Sequence, residues 1–428
     1  MKGYGVLRLL NLMILWVGLG VLAFDGRANG QILWQAGVFS ALLLVGAVFE
    51  KVTVYRGDPL LLATVQLIVV IGLVFLTRIR PVSALRQFWW ANIGLLAFYF
   101  VIYVLKDYRK LGRFQYLWGL AAVVMLFLTL LFGVTSGGAT SWLNIAGFSF
   151  EPEELVKIAL LLFLAAYLGE HEEVLRVGTV QVGWFSLPDW RTLGPFLIMG
   201  GFSLGLLAAQ KSLGTALVFY SLYVLMLFAV TERPLYLGVS LPVLMLTGFM
   251  GYLLFGHVRV RVETWLNPWT DTAGDGYQIA QSLFAISGGK ILGTGLGNGI
   301  GAFQVPASST DFIFSVIAEE IGFAGAMAVL LLFLIVVLRA FLVSSNAPDR
   351  FGQILAAGIG ILIGTETLII LAGVTKLLPL TGIPLPWVSY GGSSLLVHFL
   401  LLGILANISQ VSAAGPFNLK NKGRGYAV

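Results

Sequence analysis

The sequence contains no cysteine and few charged residues. Without cysteine, disulfides, thiolate nucleophiles and zinc–thiolate sites are excluded. Only 11% of the 428 residues are charged and 58% are apolar, whereas an ordinary soluble domain is ~25% charged and ~45–50% apolar. So few charges cannot solvate the surface of a soluble protein of this size, which excludes a soluble enzyme, a coiled coil and a disordered chain. Histidine is scarce too, and His171, His257 and His398 are far apart in the sequence, which disfavours a histidine metal site.

The sequence is instead rich in long apolar stretches. A membrane-spanning helix needs ~20 largely apolar residues, and twelve such stretches predict an all-α, polytopic transmembrane protein. They are residues 6–24, 32–49, 60–76, 88–105, 116–134, 155–168, 194–210, 215–230, 237–256, 311–338, 351–371 and 395–408. In such a protein the net charge of +6 indicates basic cytoplasmic loops and contacts with anionic membrane lipids rather than binding of nucleic acid.

The distribution of basic residues predicts the orientation of the chain. Lys and Arg are enriched in the cytoplasmic loops of membrane proteins, and the segments on one side, including 106–113 and the tail 411–428, hold most of them. Both termini are therefore predicted to be cytoplasmic. Arg78, Arg80 and Arg86 fall on the outer side in this topology and do not fit it.

One outer segment, residues 257–310, is long enough to be typical of a functional segment. Arg259 and Arg261 follow a span directly, where they can bind lipid headgroups or phosphate oxygens, or be ordinary interfacial arginines. Asp271 lies in a turn-prone stretch near water, where an ionised carboxylate can take a proton from a hydroxyl or hold a divalent cation. Such a residue is also a common turn former.

Glycine-rich residues 288–301 of this segment have a glycine at every second position from Gly293. A phosphate-binding glycine loop needs a strand before it and a helix after it, and the sequence offers no such unit. We therefore reject nucleotide binding here and predict close backbone packing.

Charged residues within the spans are the second group of candidates. A charge at the bilayer centre costs ~2.5–3.5 kcal/mol, so such residues usually pair or line a polar cavity. Glu154 and Lys157, three residues apart on one helix face, can pair. Four further charges lie in or just beyond later spans: Glu319, Glu320, Glu366 and Lys376. Together they predict a polar cavity that opens outward, with structural ion pairs as the alternative.

Residues 379–394 hold three prolines and three glycines just before the last predicted span, so they cannot form one regular helix. Irregular backbone at membrane depth occurs only where it is buried in protein or lines a cavity. This stretch is therefore either a cavity wall, which would include Ser393, or a tightly packed turn.

Five motifs, in this order, resemble those of the SEDS family, named for shape, elongation, division and sporulation. They are residues 150–157, 210–215, 271–281, 310–322 and 379–394. The resemblance extends from about residue 58 to 409 and implies a ten-helix core in 58–410, two additional helices in 1–57 and a basic cytoplasmic tail in 411–428. The pair Gln210-Lys211 is one of the features that are similar to the elongation-type branch. Glu151 and Lys211 differ from the usual motif residues and add an acid and a base near the expected cavity.

The resemblance implies a polymerase of peptidoglycan glycan strands, active in cell elongation or division. Such an enzyme uses lipid II and undecaprenyl-pyrophosphate-linked glycan, with inversion, at the outer face of the bacterial cytoplasmic membrane, beside a class B penicillin-binding protein transpeptidase. The catalytic aspartate of the family matches Asp271, as a base or as the ligand of a divalent cation, magnesium or manganese, which is the one cofactor implied. Substrate binding is expected from six residues: Glu154, Lys157, Arg259, Arg261, Lys376 and Ser393.

Two other functions stay open from the residues alone. Four charged residues would also suit the path of a flippase or transporter for a lipid-linked precursor: Glu154, Lys157, Glu320 and Glu366. The third possibility is a catalytically silent scaffold for a transpeptidase. A transporter has little use for an aspartate in an outer segment, so Asp271 favours the polymerase.

Overall fold

The computed structural model describes residues 2–53, 55–136, 139–145, 148–178, 180–182 and 185–413. From residue 414 onward, the predicted basic tail lies outside the described residues. The described residues form seventeen α-helices: α1 (Lys2–Phe24), α2 (Gly30–Val52), α3 (Pro59–Ile79), α4 (Pro81–Val104), α5 (Arg109–Gly112), α6 (Gln115–Phe132), α7 (Pro152–Glu170), α8 (Glu172–Val177), α9 (Trp190–Ala209), α10 (Leu213–Thr231), α11 (Pro234–Leu254), α12 (Gly256–Leu266), α13 (Tyr277–Gly288), α14 (Gly301–Gln304), α15 (Ile313–Asn346), α16 (Arg350–Val374) and α17 (Gly392–Ala413). Eleven of them are long and apolar enough to cross a membrane. The prediction of an all-α, polytopic membrane protein is confirmed.

The sixth predicted span, residues 155–168, corresponds to α7, which is 19 residues long but is not among the eleven. It carries Glu153, Glu154 and Lys157, each no more than 5% exposed. So much charge would be costly against lipid, and α7 instead packs against α6, α10, α16 and α17. A charged helix is thus placed inside the bundle, where its polar groups can find partners.

Burial differs strongly among the spanning helices. The most apolar windows of α3, α16 and α17 are 89%, 78% and 72% buried, whereas that of α11 is not buried at all. The core of the bundle therefore contains α3, α16 and α17 together with α7, and α11 lies at its edge.

Short strands, which the sequence did not predict, lie in two connections. Strands β1 (Val134–Ser136), β2 (Ala139–Ile145) and β3 (Phe148–Phe150) form an antiparallel sheet in the order β1-β2-β3. Strands β4 (Val180–Val182) and β5 (Phe185–Leu187) pair within the connection 169–193. Four of these five strands have only three residues, which is too short to show a two-residue hydrophobic period, and β2 has seven.

The long segment 257–310, which was predicted to be outer, is mostly helical. It contains α12, a 3₁₀-helix at Pro268–Asp271, α13 and α14, and α13 packs against α15. The glycine-rich residues then run beside a break in α15 at Gly322, where φ is 71°. At the break, the Thr294 amide donates to the Glu319 carbonyl (3.0 Å) and the Phe323 amide donates to the Lys290 carbonyl (2.9 Å).

The predicted close backbone packing of the glycine-rich residues is confirmed. Gly293 has φ of 83°, and a Cβ atom there would lie 2.2 Å from the Glu320 carbonyl oxygen. The same residues enclose two buried acids: Glu319 accepts from the amides of Ile300 and Gly301 (3.0 and 2.8 Å), and Glu320 accepts from the amide of Gly297 (3.0 Å). Glu319 and Glu320 are therefore held by backbone amides and do not line the predicted polar cavity.

Arg78 is a buried side chain rather than a loop charge. Its Nε lies 3.0 Å from Glu320 Oε1, and both side chains are at most 1% exposed. Its Nη2 also donates to the Gly299 carbonyl (2.7 Å). The conflict that Arg78 posed for the predicted orientation therefore has a structural cause.

Candidate active site

A cavity of about 350 Å³ lies where the ends of several helices meet. Its walls come from β2, α7, the turn between α9 and α10, the first turns of α10, α12, residues 310–311 just before α15, α16, and residues 381–394. Seven charged residues line it: Glu151, Glu154, Lys157, Lys211, Arg261, Asp311 and Glu366. Carboxylates thus outnumber cations on its wall.

Local sequence determines where α7, which forms one wall of the cavity, begins. Pro152 occupies the first turn of α7, where its missing N–H costs nothing, and Glu153 and Glu154 follow at the positive end of the helix. Glu153 also accepts a hydrogen bond from Ser212 Oγ (2.7 Å), which ties the start of α7 to the α9–α10 turn.

Lys157 is held between two carboxylates. Its Nζ lies 2.8 Å from Glu154 Oε2 and 2.5 Å from Glu366 Oε1, and the predicted Glu154–Lys157 pair is confirmed. The other oxygen of Glu366 lies 2.7 Å from His398 Nε2. All four side chains are at most 6% exposed. One ammonium is therefore oriented from two helices besides its own.

The sequence predicted that Glu366 lines a polar cavity but gave it no role in substrate binding, and it did not single out His398. Glu366 was visible as an acid within a span, but its partners lie on α7 and α17. His398 gave no signal, because 32 residues separate it from Glu366 and only the packing of α16 on α17 brings them together.

Arg261 and Asp311 form the opposite wall. The Arg261 guanidinium donates to the Thr381 carbonyl (3.2 Å), and its charge acts on Asp311. Burial raises the pKa of Asp311, against the opposing effects of Thr310 and Arg261. Gly382, with φ of 75°, lies so close that a Cβ atom there would be 3.6 Å from Asp311 Oδ2. Sequence reasoning treated Asp311 only as the start of a span.

The irregular residues 379–394 are both well packed and part of the cavity wall. The Gln87 side chain bonds to the backbone of Ser389 and Gly391 (3.1 and 3.2 Å). Ser393, which is 4% exposed, accepts a hydrogen bond from the Glu151 amide (3.2 Å). The two readings of this stretch are therefore compatible.

Asp271 lies outside this cavity. It borders a separate depression of about 230 Å³, together with Glu263 and Asp275, and its side chain is exposed. Its Oδ1 accepts from the Gly274 amide (2.8 Å) and its Oδ2 from the Asp275 amide (3.2 Å). The carboxylate thus closes a turn, and α12 separates it from the cavity, since Arg261 lines the cavity and Glu263 lines the depression.

Two other predicted residues also lie away from the cavity wall. Arg259 Cζ is 5.5 Å from the centre of the Tyr252 ring, a cation–π contact. Lys376 follows the end of α16 with φ of 62°, and its carbonyl accepts from Trp265 Nε1 (3.2 Å). The structure therefore brings together Glu154, Lys157, Arg261 and Ser393, and leaves Asp271, Arg259 and Lys376 outside.

The described residues do not form a metal site of their own. No group of three or more His, Cys, Asp or Glu within these ranges is arranged to hold an ion. Asp271 and Asp275 share a depression, but both oxygens of Asp271 already accept backbone N–H groups. The donor set therefore does not fit a protein-only magnesium or manganese site.

Comparisons with a family model and with known proteins all indicate the same family. A family model described as cell cycle protein, for FtsW, RodA and SpoVE, matches residues 58–414. The peptidoglycan glycosyltransferase RodA of Mycobacterium tuberculosis (strain ATCC 25618 / H37Rv) is 40% identical over 366 residues, which cover 82% of this chain and 78% of that protein. Stage V sporulation protein E of Bacillus subtilis (strain 168) is 34% identical over 370 residues, covering 83% and 97%.

Comparison with solved structures indicates the same family. A chain from work on the structural coordination of polymerization and crosslinking by a peptidoglycan synthase complex superposes with a TM-score of 0.70 at 28% identity. The match covers 83% of this chain and 98% of that chain.

Proposed function

This chain belongs to the FtsW, RodA and SpoVE family, closer to RodA, and we propose that it extends peptidoglycan glycan strands from lipid II with Asp271 as the base. It is a multi-pass membrane protein and a peptidoglycan glycosyltransferase, the activity for which its relatives at 40% identity are named. This activity favours the polymerase over a transporter or a catalytically silent scaffold.

The proposed reaction is a single displacement. The 4-hydroxyl oxygen of the acceptor sugar forms a bond to the anomeric carbon of the donor, while the bond from that carbon to the diphosphate oxygen breaks. The hydroxyl proton passes to Asp271, and the diphosphate leaves on its undecaprenyl lipid. Configuration inverts because no covalent enzyme intermediate forms.

The observation that carries this assignment is the arrangement of two recesses on either side of α12. The cavity holds Arg261 and Lys157, which suit a diphosphate, and the depression holds the exposed Asp271 carboxylate, which suits a hydrated sugar. A lipid-linked saccharide has these two parts joined in one molecule. A general base contributes about 10²–10⁴-fold in rate.

The remaining predicted residues have supporting roles in this proposal. Glu154 orients Lys157, and Ser393 anchors the Glu151 backbone at the cavity wall. Arg259 and Lys376 lie near the ends of α11 and α16, where they would contact lipid headgroups or the departing diphosphate. No step passes through a metal ion.

Asp271→Asn in purified protein is the decisive variant. Asparagine can still accept the Gly274 amide and close the turn, but it cannot take a proton, so we expect polymerisation of lipid II to fall by about 10²–10⁴-fold. Glycan length is measured with and without magnesium or manganese. Asp275→Asn, in the same depression, is the control and should keep near wild-type activity.

Full polymerisation by Asp271→Asn would refute the assignment of the base. A variant that is inactive without added metal but recovers at high magnesium would favour the alternative role of Asp271 as a cation ligand.

We further propose that the partner is a class B penicillin-binding protein and that both termini are cytoplasmic. The similarity to a chain of a peptidoglycan synthase complex supports the proposed partner. The basic residues of segment 106–113 and of the tail 411–428 support the proposed orientation. Co-purification with such a transpeptidase and labelling of cysteines introduced at the two ends would test them.

A further inference from the structure

We propose that Lys211, His257 and Arg261 form an anion subsite at the mouth of the cavity, which holds the diphosphate of the lipid-linked substrate. This inference rests on the proposed function and names the part of the site that binds the lipid-linked end of the substrate. Lys211 and His257 were not among the predicted binding residues.

Charge balance in the cavity singles out Lys211. Lys157 is already held by Glu154 and Glu366. Lys211 also lines the cavity, is exposed, and makes no side-chain hydrogen bond or ion pair within the described ranges. It is thus an ammonium available for an incoming anion.

The imidazole of His257 adds a ring nitrogen that lacks a partner. Its Nε2 is buried, and no atom of the described residues bonds to it. His257 and Arg261 are four residues apart on α12, so they lie on one face of that helix. The Arg261 guanidinium itself makes one hydrogen bond within the described residues, to the Thr381 carbonyl. Both side chains of this helix face can therefore form further hydrogen bonds with a ligand.

Lys211 and Arg261 line the same cavity, and His257 lies one helical turn before Arg261 on α12. Burial and the charges of Arg261 and Lys211 lower the pKa of His257. Asp311 is the acid whose charge acts on Arg261. This mouth therefore has an excess of positive charge, although carboxylates dominate the cavity as a whole.

The subsite lies at the depth where a lipid diphosphate would lie. Lys211 comes two residues after α9 ends, and His257 comes three residues after α11 ends. Both helices span the membrane, so both residues lie at its boundary. The start of α12, an eleven-residue helix with no side-chain cap, adds its positive end to the same place.

The backbone at Lys211 suggests a matched pair of variants. Lys211 has φ of 62° and Lys290 has φ of 48°, and asparagine tolerates this left-handed conformation well. Lys211→Asn and Lys290→Asn thus remove the same charge from the same backbone geometry, in the cavity wall and outside it.

The kinetic test measures lipid II polymerisation by the full-length protein. We expect Lys211→Asn to raise KM about tenfold, as loss of one charge-assisted hydrogen bond implies, with kcat within about twofold. Lys211→Arg should restore KM, and Lys290→Asn should leave it unchanged. An equal KM in Lys211→Asn and Lys290→Asn would overturn the proposal.

The binding test follows the imidazole of His257 by NMR in protein labelled at histidine, with His257→Gln for assignment. Undecaprenyl diphosphate, inorganic pyrophosphate and phosphatidylglycerol are added separately. We expect undecaprenyl diphosphate to raise the pKa of His257 in wild type and less so in Lys211→Asn, with pyrophosphate acting weakly in the same direction. A rise with phosphatidylglycerol alone would assign the site to membrane headgroups, and no rise with any probe would overturn it outright.

The two proposals can fail separately. If Asp271→Asn stays active while Lys211→Asn raises KM, the base is wrong and the anion subsite stands. If Asp271→Asn is inactive while Lys211→Asn behaves like Lys290→Asn, the subsite alone is wrong.

Discussion

Two clusters of buried carboxylates in this protein differ in what surrounds them. Glu319 and Glu320 are buried and enclosed by backbone amides of the glycine-rich residues and by Arg78. Glu154 and Glu366 share Lys157 at the wall of an open cavity of about 350 Å³.

The difference separates a structural use of buried charge from a functional one. An enclosed charge must have all its partners within the protein, because no water can replace them. A charge at a cavity wall can exchange part of its pairing for a ligand. The sequence shows acids within spans in both places, so the surroundings, rather than the residue type, distinguish the two clusters.

The largest effect is expected from Arg78→Ala in the enclosed cluster. Glu320 would then keep a buried charge without its partner, and breaking a buried ion pair costs about 3–5 kcal/mol. The unfolding temperature of the purified protein in detergent should fall, or the protein should fail to accumulate in the membrane.

Arg86→Ala is the control, since Arg86 lies near the start of α4, close to Arg78 in the sequence, and is exposed. It should have almost no effect, and Arg78→Lys should recover part of the lost stability. Equal stability of Arg78→Ala and Arg86→Ala would contradict the structural role of the enclosed cluster.

Lys157→Ala should destabilise less, by about 1–3 kcal/mol, because water in the cavity can solvate the two carboxylates that it leaves. Polymerisation should nevertheless be lost, since the ammonium belongs to the proposed site. Adding Glu366→Gln to this variant should recover stability, seen as a higher unfolding temperature, without recovering activity. Recovery of both would show that Lys157 is only structural.

Local sequence patterns predicted the parts of the molecule that depend on neighbouring residues. Glu154 and Lys157 are one helical turn apart, so their pairing followed from spacing alone. The spanning helices followed from the length of apolar stretches. The close packing of the glycine-rich residues followed from their missing side chains.

Contacts between distant parts of the chain were not predictable in this way. The break in α15 at Gly322 depends on hydrogen bonds to residues 290–295, and the Glu366–His398 contact depends on two helices packing together. The position of Asp271 beyond α12 depends on how that helix lies against the cavity. Each is set by tertiary packing, on which spacing in the sequence carries no information.

The smallest change in stability is expected at Asp311, which combines features of the two clusters. It lines the cavity, but burial raises its pKa. In the unfolded chain this carboxyl ionises near pH ~3.9, whereas in the folded protein it holds its proton to higher pH. The folded state therefore binds more protons in that interval, and its stability falls as pH rises from about 4 to the raised pKa.

Asp311→Asn should lose this contribution, so its unfolding temperature relative to wild type should increase with pH across the interval and level off above it. Parallel curves for wild type and variant would mean that Asp311 is as well solvated as an exposed acid and that the cavity reaches it fully.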